Sequence, residues 1–197
     1  VMRGHGVSDL SHFWERYKRR LRRKRLLWRA FRKRRDIESI CRKTGSIKGD
    51  DILLFATVRN EALRLPYFLQ HYRRIGVDHF LIVDNGSDDG TVSLLEDAPD
   101  VSLWRTNASY KNARFGMDWL TCLLWRYGHC HWTITVDADE LLIYPDWENR
   151  NLRALTRWMD AKGHQALGSM LLDLYPKGPV GAQRYLPGQD PTQVLNW

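Results

Sequence analysis

From Asp51 onward, the apolar positions of the chain switch repeatedly between a strand-like and a helix-like spacing. Residues 52–58, ILLFATV, are apolar almost without interruption, the pattern of a strand covered on both faces. A period of 3.6 residues then takes over. Leu65, Phe68, Leu69 and Tyr72 fall on one helical face, Pro66 suits the first turn, and Gly76 ends the helix. The same reading predicts strands at 80–83, 101–104 and 166–172, a short helix at 91–96, and longer helices at 113–127 and 151–162. Residues 132–136, WTITV, are β-branched and aromatic and predict a further, buried strand. After Tyr175 come four of the seven prolines, and this part is expected to be loop. Strands alternating with helices predict an α/β, Rossmann-like domain: a mostly parallel sheet flanked by helices.

The first 49 residues have a different character. They hold 17 Lys and Arg against 4 Asp and Glu, whereas residues 50–197 hold 14 against 19, so the net charge of +8 originates entirely in the N-terminal segment. Thirteen of the cations lie between Arg16 and Arg35, with no acidic residue, Pro or Gly among them. Leu10, Trp14, Tyr17, Leu21, Trp28 and Phe31 are spaced by three, four or seven and share one face of a helix. The organisation expected is a basic amphipathic N-terminal segment at 1–49, carrying this helix, ahead of one domain at 50–197. Three uses fit such a helix: lying on an anionic membrane surface through residues 16–35, docking its stripe on the domain as a solvated extension, or binding nucleic acid.

No apolar run approaches the ~20 residues that span a bilayer, and no secretory signal pattern is present. Cys41, Cys122 and Cys130 are odd in number and lack metal-ligand spacing, which suits free thiols in a reducing compartment. The location expected is cytoplasmic, with peripheral attachment at the inner face of the membrane as an option.

Chemistry concentrates where strands end. The strand at 132–136 empties into Asp137, Asp139 and Glu140. Ligands of open α/β sheets gather beyond the carboxyl ends of the strands. Carboxylates at i and i+2 there can hold Mg²⁺ or Mn²⁺, ions that keep positions open for phosphate oxygens. Taken alone, an Asp-x-Asp is as consistent with a solvated turn. A second acidic site, LIVDNGSDDGT at 81–91, puts Asp84 at a strand end, suited to a base N–H or a ribose hydroxyl, with Ser87 or Asp88 free to cap the next helix. Asn85, Ser87, Asp89, Gly90 and Glu96 also fit an EF-hand spacing, but a strand precedes them where an EF-hand needs a helix. At the first strand's end, Thr57, Arg59, Asn60 and Glu61 offer hydroxyl, guanidinium, amide and carboxylate groups; Asn60 and Glu61 are equally good helix caps. Polar residues at the same edge of three strands predict a shared binding crevice.

TVRNEALRLPYFLQHYRRIGVDHFLIVDNGSDDGT, followed by VDADE at 136–140, resembles the nucleotide-sugar half of the family 2 glycosyltransferases, in particular their bacterial branch. The resemblance covers about residues 52–176 and implies a GT-A fold. It implies that Thr57, Arg59 and Glu61 border the nucleotide, that Asp84 contacts the base, and that Asp137 meets the ribose or the metal-bridged diphosphate. Asp139 is implied as the direct ligand of Mn²⁺ or Mg²⁺, and Arg114, with Lys111 as second choice, as the cation near the diphosphate. The implied reaction moves a sugar from a nucleoside-diphosphate sugar to a hydroxyl acceptor, a glycan or a lipid-linked glycan, with inversion. The family's general base usually follows the metal motif, where this chain offers Asp173 and Asp190. Only 52 residues follow Pro145, so the acceptor side is expected to be incomplete.

Two rival functions fit the same residues. Nucleotidyl or phosphoryl transfer would use the same carboxylates, although no G-x-x-x-x-G-K-[ST] loop is present to cradle a triphosphate. A non-catalytic module would bind anionic membrane or nucleic acid through the basic helix.

Overall fold

The computed structural model describes residues 6–179 and 185–196, with side chains from residue 12 onward. Its centre is a five-stranded sheet in the order β1-β4-β3-β2-β5. The strands are β1 (Glu38–Cys41), β2 (Leu53–Val58), β3 (His79–Asp84), β4 (Val101–Arg105) and β5 (Thr133–Thr135). β2 to β5 run parallel, and β1 closes one edge antiparallel to β4.

The continuous apolar reading of 52–58 is explained by layers on both faces. Leu54, Ala56 and Val58 pack under α2 (Leu65–Ile75), α3 (Thr91–Asp97) and α5 (Leu152–Ala161), through Leu65, Phe68, Leu69, Tyr72, Leu95 and Leu152. Leu53 and Phe55 face the other way, onto Trp119, Leu120 and Leu123 of α4 (Met117–Tyr127). Each of the Leu, Val and Phe side chains among them contributes about 1.5–3 kcal/mol relative to exposure. α2 starts with Pro66 in its first turn and stops at Gly76, whose φ of 103° is a left-handed conformation that glycine adopts without strain. Asn151 caps α5 by accepting the Ala154 N–H.

The connection from β4 to β5 crosses the face opposite α2 and α3, so the chain reverses sides at β2. β3 accompanies β2 to its last residue, Val58 opposite Asp84, but β5 is in register only from Leu53 to Phe55. Beyond Phe55, β5 peels away and a gap opens at the carboxyl ends, the topological switch point of an open α/β sheet.

Several expectations need correction. The strand at 132–136 is shorter and half-buried rather than buried, because β5 lies at the sheet edge. Residues 166–172 form no strand: Met170 and Leu171 are 80% and 70% exposed and do not pair with the free edge of β5. The predicted helix at 113–127 is divided. Lys111–Ala113 is a single 3₁₀ turn, then Arg114, Phe115 and Gly116 take φ of 54°, 55° and 77°, left-handed values that a right-handed helix cannot pass through. The region after Tyr175 is not all loop; β6 (Tyr175–Pro176) pairs antiparallel with β7 (Leu195–Asn196), preceded by α6 (Pro191–Val194).

The basic segment forms α1 (Gly6–Lys33). Arg29 donates to Asp118 Oδ2 from Nε at 3.3 Å and Nη2 at 3.1 Å, and to the Asn112 carbonyl. The apolar stripe does not dock: Trp14, Tyr17, Leu21, Trp28 and Phe31 are all exposed, and Leu10's side chain lies outside the described residues. The attachment is made instead by the face carrying Arg29 and the buried Ala30.

Candidate functional site

The gap between β2 and the departing β5 strand is a cavity of about 290 Å³ lined by Thr57, Val58, Arg59, Glu61, Asn85, Tyr110, Asp137, Ala138 and Asp139. A larger hollow of about 510 Å³ lies at the opposite, amino end of β2, near Asp51, His131 and Arg153. Its charged groups are largely paired: Arg153 bridges Asp50 and Asp78, and Trp132 Nε1 donates to Asp160. The smaller cavity is the better candidate, because it sits at the carboxyl ends and holds unpaired charge.

The chain shapes this crevice with loop-to-loop hydrogen bonds. Asn60 takes a left-handed φ of 55°, which Asn tolerates, and turns its backbone N–H to Ser87 Oγ while its Oδ1 accepts from Asp88 N. Glu61 N donates to Thr91 Oγ1, and Ala62 N donates to Asp89 Oδ2. Asp89 Oδ1 accepts from both Thr91 N and Thr91 Oγ1. The N-cap of α3 is therefore Gly90, not Ser87 or Asp88, with Asp89 just before it bonded to Thr91, the first helical residue, and the carboxylate that a calcium loop would need is tied up within the turn. Neither Asn60 nor Glu61 caps α2 with its side chain. Glu61 instead pairs with Arg64 at 2.8 Å, a bond that is the main reason the Arg64 pKa is pushed up, with Asp139 adding to it.

A second set of contacts holds the acidic loop. Asp137 N donates to Glu140 Oε2 at 3.1 Å. Tyr72, buried in α2, donates its hydroxyl to the Glu140 carbonyl at 3.2 Å and accepts from Leu142 N at 3.1 Å. His71 Nε2 meets the Leu142 carbonyl at 3.1 Å. The ordinary-looking pair His71–Tyr72 thus sets where VDADELL leaves the sheet.

Asp137 and Asp139 are both exposed at the cavity. Partial desolvation at the cavity wall, then the neighbouring charges of Glu140, Asp139 and Glu61, push the Asp137 carboxyl above its ordinary value. Water softens this repulsion, yet its direction marks a place where a cation is favoured. Among the described residues, no three His, Cys, Asp or Glu side chains come together as a metal-binding group. The pair Asp137 and Asp139 still fits Mg²⁺ or Mn²⁺, which are commonly held by one or two carboxylates plus water and substrate phosphate.

Not every expected residue reaches the cavity. Asp84 is fully buried; its carboxylate accepts from Gly86 N and Ser87 N and lies 3.5 Å from Arg105 Nε, so it closes its own loop. The neighbouring Asn85 lines the cavity, its amide donating to the Thr106 and Ala108 carbonyls. Arg114 lies 3.3 Å from Asp118, which it shares with Arg29, and is outside the lining, as is Lys111. Arg59 is the exposed cation on the cavity wall and has no ion pair among the described residues. Asp190 caps α6 by accepting from Thr192 N and Oγ1, and Asp173 is exposed away from the cavity. Neither is positioned here as a base.

Sequence reasoning missed Tyr110. Its ring lies at the cavity, edge-on to Phe115 at 5.8 Å and tilted against Trp119 at 6.4 Å. Burial and the charges of Asp137 and Asp139 push its phenol upward. Thr57 Oγ1 is buried at the same wall without a hydrogen-bond partner among the described residues.

No protein-family model matches the chain. The chain is 26% identical over 142 residues to a glycosyltransferase family 92 protein of Oryza sativa subsp. japonica, an alignment that takes in 68% of this chain and 22% of that protein. It is 24% identical over 153 residues to a glycosyltransferase family 92 protein of Ricinus communis, covering 74% of this chain and 26% of the relative. The chain thus spans about a quarter of the length of these curated relatives. Both are plant proteins of family 92, so the bacterial family 2 resemblance rests on the motifs alone.

Proposed function

We propose that this chain is the donor-binding part of a glycosyltransferase of the GT-A type, taking a nucleoside-diphosphate sugar together with Mn²⁺ or Mg²⁺. The observation that carries the reading is the convergence of Thr57, Arg59, Glu61, Asn85, Tyr110, Asp137 and Asp139 on one crevice at the sheet's switch point. The relatives, named as glycosyltransferases, support glycosyl transfer in general.

In this reading Asp137 and Asp139 hold the metal, and Thr57 and Asn85 offer hydrogen bonds to the nucleoside. Tyr110 supplies a flat aromatic wall, and Arg59 supplies positive charge for the diphosphate. A bound divalent ion would stabilise the diphosphate as it departs. Glu61, fixed by Arg64, keeps its carboxylate at the rim, where it can accept from a ribose or sugar hydroxyl. The acceptor hydroxyl, on a glycan or lipid-linked glycan, attacks the anomeric carbon of the donor sugar with inversion, and the nucleoside diphosphate departs as the bond to it breaks.

A calorimetric screen of nucleoside diphosphates, with and without Mn²⁺, tests the proposal. Metal-dependent binding of one or more of them is the expected result. Nucleotide binding that ignores the metal, or no binding of any of them, contradicts it. Detection of a transferred nucleotidyl or phosphoryl group instead of a sugar would move the chain to the rival reaction class.

A further inference from the structure

α1 carries two faces with opposite relations to the body. Every residue from His12 to Arg25 is exposed, and the covered positions begin only at Leu26, continuing with Arg29, Ala30 and Lys33. At about 100° per residue, Trp14, Tyr17, Leu21, Trp28 and Phe31 point to the opposite side of the helix from that attachment face. Trp14 is 55% and Trp28 59% exposed. Arg20, Lys24, Arg25 and Arg32 border or interrupt the stripe, and the Arg32 guanidinium lies 4.8 Å over the Trp28 ring.

We propose that the outer face of α1 binds the surface of an anionic lipid bilayer. Trp and Tyr suit the headgroup level because each joins an apolar body to a polar handle, and the surrounding cations are complementary to anionic headgroups. A helix of this type lies in the interface plane with its stripe inward. The charge balance of 17 Lys and Arg against 4 Asp and Glu in residues 1–49 opposes pairing of the stripe with a second copy. A nucleic acid would satisfy the cations but leave Leu21 and the aliphatic edge of the stripe in water. No helix among the described residues is long and apolar enough to cross a membrane, so the contact is peripheral. The clamp of Arg29 on Asp118 faces away from the stripe, so lipid binding leaves it intact and holds the body in one attitude to the surface. The inference stands independently of the proposed glycosyl transfer.

The test is co-sedimentation of the full chain with vesicles of phosphatidylcholine alone and of phosphatidylcholine mixed equally with phosphatidylglycerol. Binding to the mixed vesicles should be at least about tenfold tighter than to neutral ones, and salt should weaken it. Trp14→Ser combined with Trp28→Ser and Phe31→Ser should weaken it at least about tenfold, with an unchanged circular dichroism spectrum of the body. Arg20→Glu with Lys24→Glu should do the same. Trp125→Ser, at an exposed tryptophan of α4, should leave it unaltered. Undiminished binding by the stripe variant, equal binding to neutral vesicles, or binding to duplex DNA with none to anionic vesicles would each overturn the proposal.

Discussion

Tyr72→Phe removes one oxygen atom and tests whether α2 holds the acidic loop in place. The ring is fully buried and stays so in the variant, leaving no cavity to speak of. The loss is of two hydrogen bonds, to the Glu140 carbonyl at 3.2 Å and from the Leu142 N–H at 3.1 Å. An unsatisfied buried donor or acceptor costs about 1–3 kcal/mol. Glu140 and Leu142 are only half-buried, so water can recover part of this, and the net loss should be about 1–2 kcal/mol. With a urea slope of about 2 kcal/mol/M, the unfolding midpoint should fall by roughly 0.5–1 M. The second readout distinguishes a positioning role from mere stability. Because the same oxygen sets the exit of VDADELL, Mn²⁺-dependent nucleotide affinity should fall at urea-free conditions where the variant is fully folded. A reduced midpoint with unaltered metal-dependent affinity would refute the positioning argument, and an unaltered midpoint would refute the hydrogen-bond argument itself.

Gly116→Ala should destabilise the chain by about 1–3 kcal/mol, read from urea unfolding. The new Cβ would lie 2.6 Å from Thr57 Oγ1 at a φ of +77°, so a neutral substitution would contradict the described approach of the two segments. Asp84→Ala should cost about 2–4 kcal/mol by freeing the Gly86 and Ser87 N–H donors. A loss of nucleotide affinity without any loss of stability would place the Asp84 carboxylate in the crevice after all. The raised Asp137 pKa gives a pH signature. Protons compete with the metal for that carboxylate, so Mn²⁺ affinity should fall on acidification at a pH above the ordinary Asp value of about 3.9. The linkage runs the same way without metal. The folded state binds this proton more tightly than the unfolded chain, so its contribution to stability is fully present below the unfolded pKa and is lost as pH rises through the raised folded value. Affinity that declines only within the normal carboxylate range would remove the shift.

The central strands and α2 were legible because the forces that fix them are local to their own pattern. ILLFATV is apolar at every position only if both faces are covered, and Leu65, Phe68, Leu69 and Tyr72 meet the sheet only as a helix. β1 was not legible: its four residues, ESIC, are too short and too polar to stand out, and they are recruited by the edge of β4. The strand expected at 166–172 fails for the converse reason, since an apolar run does not itself specify a pairing partner. At the crevice, Thr57, Arg59, Glu61, Asp137 and Asp139 were readable from their positions just past strand ends. Asp84 was misplaced because a strand-end carboxylate can equally fold back onto its own loop amides, as it does here. Arg114 carried a readable warning in Asp118 four residues on, although the left-handed residues between them were not foreseeable. Tyr110 could not be told from a core aromatic, since its ring does lean on Phe115 and Trp119.

The most direct test of the donor-site reading compares calorimetric titrations of a nucleoside diphosphate into the unaltered chain and into Asp139→Ala, each with and without Mn²⁺. Asp139 is exposed beyond a strand end, so the variant should unfold at the same urea concentration. The account predicts metal-dependent binding by the unaltered chain and its loss in Asp139→Ala. Equal Mn²⁺-dependent affinity in the two proteins would contradict it.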